Sequence, residues 1–96
     1  MEIINKIEDF IADIYFKMPG ELNNQYVDIC EQISSLFEKY FMQYDDVMNQ
    51  GKDIIKFLLD VMQTGDYIKM ADALYYEVKP IISDALILIE RENLNN

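Results

Sequence analysis

Apolar residues recur at three- and four-residue steps along nearly the whole chain, and no segment alternates as a half-buried strand does. That periodicity leaves an all-α fold as the one architecture the pattern supports. The punctuation is sparse: Pro19, Gly20, Gly51, Gly65 and Pro80. Four stretches follow from it. Ile3, Ile7, Phe10, Ile14 and Met18 form one amphipathic stripe, widened by Ile4, Ile11 and Tyr15, and Met18-Pro19-Gly20 is expected to end it. A second stripe runs Leu22, Tyr26, Ile29, Ile33, Leu36, Tyr40, Tyr44, Val47, flanked by Cys30, Phe37, Phe41 and Met48.

The stepping can be carried past Gly51 into Ile54, Leu58 and Val61. A break near Asn49-Gln50-Gly51 is preferred, because glycine costs about 1 kcal/mol inside a helix and Asp53 can cap a new start. A short third helix then spans Ile54 to Met62 and ends at Thr64-Gly65, with Asp66 as the next N-cap. The last stripe, Tyr67, Ala71, Leu74, Val78, Ile81 or Ile82, Ala85, Leu88 or Ile89, keeps its phase through Pro80. A proline that interrupts the pattern without shifting it predicts a kinked helix rather than a loop. Asn93 to Asn96 are expected to fray. The expected whole is a single domain, residues 1–96: an up-and-down bundle of three or four antiparallel helices, the last kinked at Pro80.

Charge excludes some functions. Eighteen acidic residues against eight basic give a net charge of −10, with ten acidic and three basic residues up to Met48 and eight and five thereafter. Nucleic acid and anionic membrane surfaces require clustered Lys and Arg, and the closest pair, Lys52 and Lys56, is interrupted by Asp53. The chain contains no His, so a Ser-His or Cys-His nucleophile pair and the usual zinc sites are out of reach. Its one Cys, Cys30, has no partner for an internal disulfide and no basic residue within four positions. A buried structural thiol in a reducing compartment is expected. The acidic start and the short apolar run Ile81 to Ile89 give neither a secretory signal nor a span, so the reading is a soluble cytoplasmic protein.

Three carboxylate patterns approach known metal-binding motifs. Asp45-Asp46-Val47-Met48-Asn49 resembles, over five residues, the aspartate-rich box with which isoprenoid synthases hold magnesium on a diphosphate. Those enzymes need several hundred residues of cavity and a second metal-binding site, so here the run reads as a solvated helix end. Counting Gly51 as the sixth position of a calcium loop puts Met48 third and Phe57 twelfth, where oxygen donors are required. All-helical nucleotide pyrophosphatases use a Glu-x-x-Glu and a Glu-x-x-Asp; Asp28/Glu31 is the only acidic spacing that resembles the first, and no Glu is followed by Asp at the distance the second requires. No catalytic residue, cofactor or metal is therefore expected, and a carboxylate-metal hydrolase ranks last.

Seven Tyr and six Met enrich the chain in side chains that suit adaptable contact surfaces. The last helix is apolar nearly all round, which points to a surface for a second copy or a client. The candidate partner-binding residues are Tyr67, Met70, Tyr75, Tyr76, Ile82 and Ile89. The expected function is that of a small acidic interaction module, an adaptor, chaperone or regulator, that binds a partner helix or itself as a homo-oligomer. A phosphate-mimicking inhibitor or antitoxin of a basic partner is the alternative.

Overall fold

The computed structural model describes residues 2–92, so the fraying expected of Asn93 to Asn96 lies outside the described residues. Four helices run up and down, and among the described residues there is no strand. Helix α1 is Glu2–Asp13, α2 is Pro19–Phe41 and α3 is Asp45–Met62. The fourth helix is built of three joined pieces: α4 (Tyr67–Asp72), a π-helical turn (Ala73–Val78) and α5 (Lys79–Arg91). Both α1 and α3 pack between α2 and this last helix. The bundle measures 39 × 23 × 19 Å.

Burial follows the apolar stepping. Ile3, Ile7 and Phe10 point inward from α1, and Leu22, Tyr26, Ile29, Ile33, Phe37 and Phe41 from α2. Tyr26 is wholly buried, and its hydroxyl donates to the Leu58 carbonyl of α3 at 2.7 Å, so the one deep phenol carries its own partner. Lys6 to Asp28 at 2.6 Å and Lys79 to Glu8 at 3.2 Å tie α1 to its two neighbours. These pairs are solvent-facing and contribute little beyond fixing side chains.

Two boundaries differ from the sequence reading. Helix α1 stops at Asp13 rather than near Met18, and its carbonyl accepts from Phe16 and Lys17 in a tight reversal. Pro19 does not end a helix; it opens α2. Proline suits the first turn because its missing N–H has no intrahelical partner there, and Met18 is correspondingly extended at φ −71°, ψ 152°. Ile14 and Met18 therefore fall in the turn, which leaves Tyr15, Phe16 and Met18 largely exposed.

The second correction concerns Gly51. The chain turns earlier, at Met42 to Tyr44, and α3 passes through Gly51 without interruption, so Tyr44 rather than Asp53 occupies the N-cap position. The glycine is a packing device. A Cβ placed there would lie 2.8 Å from Cγ of Phe37, closer than packed carbon atoms tolerate. Its absence lets the Phe37 ring lie on the α3 backbone.

The remaining punctuation acts as read. Gly65 takes φ +70° beyond the end of α3, and Asp66 caps α4 by accepting from the Ile68 and Lys69 amides at 3.0 and 3.1 Å. Pro80 lies inside the last helix, where Val78 to Ile82 is helical throughout. The preceding turn widens to π geometry, and the Lys79 amide reaches back five residues to the Leu74 carbonyl. A proline cannot donate an amide, so the widened turn accommodates the interruption without ending the helix. Pro80→Ala should change thermal stability by no more than about 1 kcal/mol in either direction, because the recovered hydrogen bond competes with packing already fitted to the widened turn. A loss of several kcal/mol in chemical denaturation would contradict that account.

Candidate functional site

The six candidate residues of the last helix separate into three environments. Met70, Ile82 and Ile89 are buried in the chain's own core, which corrects their assignment to a partner surface: α1 and α3 already pack against the last helix. Tyr67 is half-buried, with its hydroxyl 3.2 Å from Asn23 Oδ1 and 3.4 Å from the Pro19 carbonyl, so it fastens the last helix to the start of α2. Tyr75 and Tyr76 are exposed at 49% and 68%, ring against ring at 4.9 Å, with Lys79 over the Tyr75 face. The Tyr/Met surface is therefore only the Tyr75/Tyr76 pair. Its hollow, with Lys79, Pro80 and Ser83, is shallow and open.

A larger feature lies on the other side of the last helix. The close approach of that helix to α3 is made by α4 and the π turn, whereas α5 makes its own close approach to α1. From the end of the π turn onward, the seam between α3 and the last helix opens into two hollows of about 450 and 200 Å³ that share Gln50 and Ile81. The two adjoin along one seam and are taken together as a trough. From Val47 to Phe57 along α3, and from Val78 at the end of the π turn to Leu88 in α5, each wall is eleven residues long, about 15 Å at helical rise. Ile54, Val78, Ile81, Ala85 and the edge of Phe37 give an apolar floor. Phe57 stands at one end 41% exposed, and Leu88 at the other.

The charged lining is of one sign. Asp53 on the α3 wall, and Glu77 and Asp84 on the other, all solvent-exposed, border the trough; none of the described lining residues is basic. Another groove, of about 660 Å³, lies between the start of α1, the end of α2 and the end of α5. Its border mixes Glu2 and Glu90 with Lys39 and selects no charge. The trough, though smaller, is the better defined site chemically.

Two further ionisable groups lie in the core. Cys30 is buried, and loss of solvation pushes its thiol up to about 11, so it is a protonated thiol at neutral pH. Burial likewise raises Tyr26 above the ordinary phenol range. Among the described residues no group of three or more carboxylates or thiols is placed to share a metal ion, and no helix is long and apolar enough to cross a membrane.

Sequence reasoning passed over Phe57, Ile81 and their acidic neighbours. A signal was present: Val47, Gln50, Ile54 and Phe57 step by three and four residues. A helix broken at Gly51 divides that stripe between two elements and hides it. Comparison with protein-family models, with curated proteins and with solved structures finds no match.

Proposed function

We propose that this chain is a small cytoplasmic interaction module, an adaptor, chaperone or regulator, that holds a client protein in the α3–α5 trough. The supporting observation is an apolar floor about three helical turns long whose charged border is entirely acidic. Shape and apolar area supply affinity, and the carboxylates select a partner of opposite charge. A second copy is the less suitable occupant, since two chains of net charge −10 repel each other. Tyr75 and Tyr76 stand outside the trough, available for secondary contact.

A photoactivatable cross-linker placed at position 57 and, separately, at position 76 tests the location. A client held in the trough should cross-link from position 57, lose binding on Phe57→Ala by about 2 kcal/mol, and tolerate Tyr76→Ala. Raising salt from 0.1 to 1 M shortens the Debye length from about 10 to about 3 Å and should slow capture markedly. Cross-linking from position 76 alone, unaffected by Phe57→Ala, would move the site to the tyrosine pair.

A further inference from the structure

Taking the trough as the binding site, we infer that its occupant is a basic amphipathic α-helix of about three turns, laid along the α3–α5 seam as a fifth helix of the bundle. Three features of the trough specify such a helix.

Length is the first. Two helical walls about 15 Å long match ten or eleven residues of α-helix. An extended strand would find no edge to pair with, because helical walls keep their backbone hydrogen bonds along their own axes. A helix satisfies its backbone internally and presents only side chains. The floor then requires apolar residues at i, i+3 or i+4, and i+7, the spacing that places three side chains on one face.

The second is the placement of charge. Asp53 and Glu77 border the hollow at the Phe57 end of the trough, one from each wall. Asp84 continues the Glu77 wall seven residues on, about 10 Å along the helix. A helix lying in the trough meets these carboxylates along its two edges. Lys or Arg seven residues apart on one edge, with another on the opposite edge, complements all three. Side chains of that length also lay their methylenes over the apolar walls while the charged heads reach the border.

The third is how the trough arises. The larger hollow opens where α3 meets the end of the π turn, and past Pro80 α5 makes its close approach to α1. Ile81, Ala85 and Leu88, which would meet α3 in a closed bundle, are left incompletely covered. A partner helix supplies the missing cover.

Four synthetic helical peptides test the inference on the intact protein. All carry Leu at i, i+3, i+4 and i+7. One has Lys flanks in the spacing above, one Gln flanks, one Glu flanks, and the fourth is the Lys peptide scrambled so that its stripe is lost. Affinity is read by fluorescence anisotropy, and location by methyl resonances of Ile54, Ile81 and Leu88. The Lys peptide should bind and move those resonances, with the Gln peptide at least about tenfold weaker and the Glu and scrambled peptides weaker still. The double variant Asp53→Lys/Glu77→Lys, altered only at exposed positions, should lose the Lys peptide by at least about tenfold and gain the Glu peptide. If the Gln peptide bound in the trough as tightly as the Lys peptide, the basic occupant would be wrong while the trough remained a binding site. Equal binding by the scrambled peptide would reduce the attraction to charge alone and overturn the helix. If no peptide moved the trough resonances, both the occupant and the site would fall.

Discussion

Tyr26→Ala should remove about 4 kcal/mol of folding stability, and Tyr26→Phe only about 1 kcal/mol. The difference separates two roles of one side chain. The ring is wholly buried, tilted against Phe10 of α1 at 5.6 Å, so truncation to Ala opens a cavity where α1, α2 and α3 meet. Removing only the hydroxyl leaves that packing intact and loses the 2.7 Å bond to the Leu58 carbonyl. A domain of this length has roughly 5 to 14 kcal/mol to lose, so the Ala variant gives up between a third and most of its reserve. Its melting temperature should fall by about 15 to 30 °C, against about 4 to 8 °C for the Phe variant. Urea unfolding of both proteins measures the energies directly. If the Ala variant lost less than 2 kcal/mol, Tyr26 would not be the three-helix junction that its burial makes it. Equal losses would assign the whole effect to the hydroxyl.

Where the sequence was legible, the reason was periodicity. The stripes placed the core residues of α2 and, in the last helix, all but Met70 and Ala73, because a three- and four-residue step has only one structural meaning over twenty residues. Asp66 was legible as a cap because its short carboxylate sits just ahead of a stripe and just after a glycine. Pro80 was legible because the phase on either side agreed. What failed was the interpretation of small residues from local propensity alone. Pro19 both ends and begins helices, and only the extended conformation of Met18 shows which it does. At Gly51 the local cost of glycine was outweighed by a contact with Phe37, fourteen residues away in sequence and on another helix, a contact that no local pattern encodes. The candidate site was lost by the same route. Met70, Ile82 and Ile89 are apolar residues on an apolar helix, and sequence alone cannot tell a core face from a partner face. The trough depends on where α5 parts from α3, which is tertiary information carried by the π turn.

Gly51→Leu should destabilise the protein by about 3 kcal/mol, although leucine is among the better helix formers and glycine nearly the worst. Propensity alone predicts the opposite sign, a gain of nearly 1 kcal/mol. Packing decides the matter, because a Cβ at this position meets Phe37 Cγ at 2.8 Å and Cδ1 at 2.9 Å, and these are atoms at the base of a ring rather than at the tip of a flexible chain. The ring cannot easily retreat. It is buried and packs against Phe41 at 5.6 Å. Gly51→Ala should fall between the two effects, with part of its clash offset by the helix gain. The cause can be isolated by removing the ring: Phe37→Ala alone should cost about 3 to 5 kcal/mol by leaving a cavity, and Gly51→Leu places a side chain into that same space. The double variant should therefore be more stable than the sum of its parts by more than 1 kcal/mol, read from urea unfolding of all four proteins. Strict additivity would mean that the glycine and the ring do not touch, and that α3 continues through Gly51 for some reason other than the packing of Phe37 upon it.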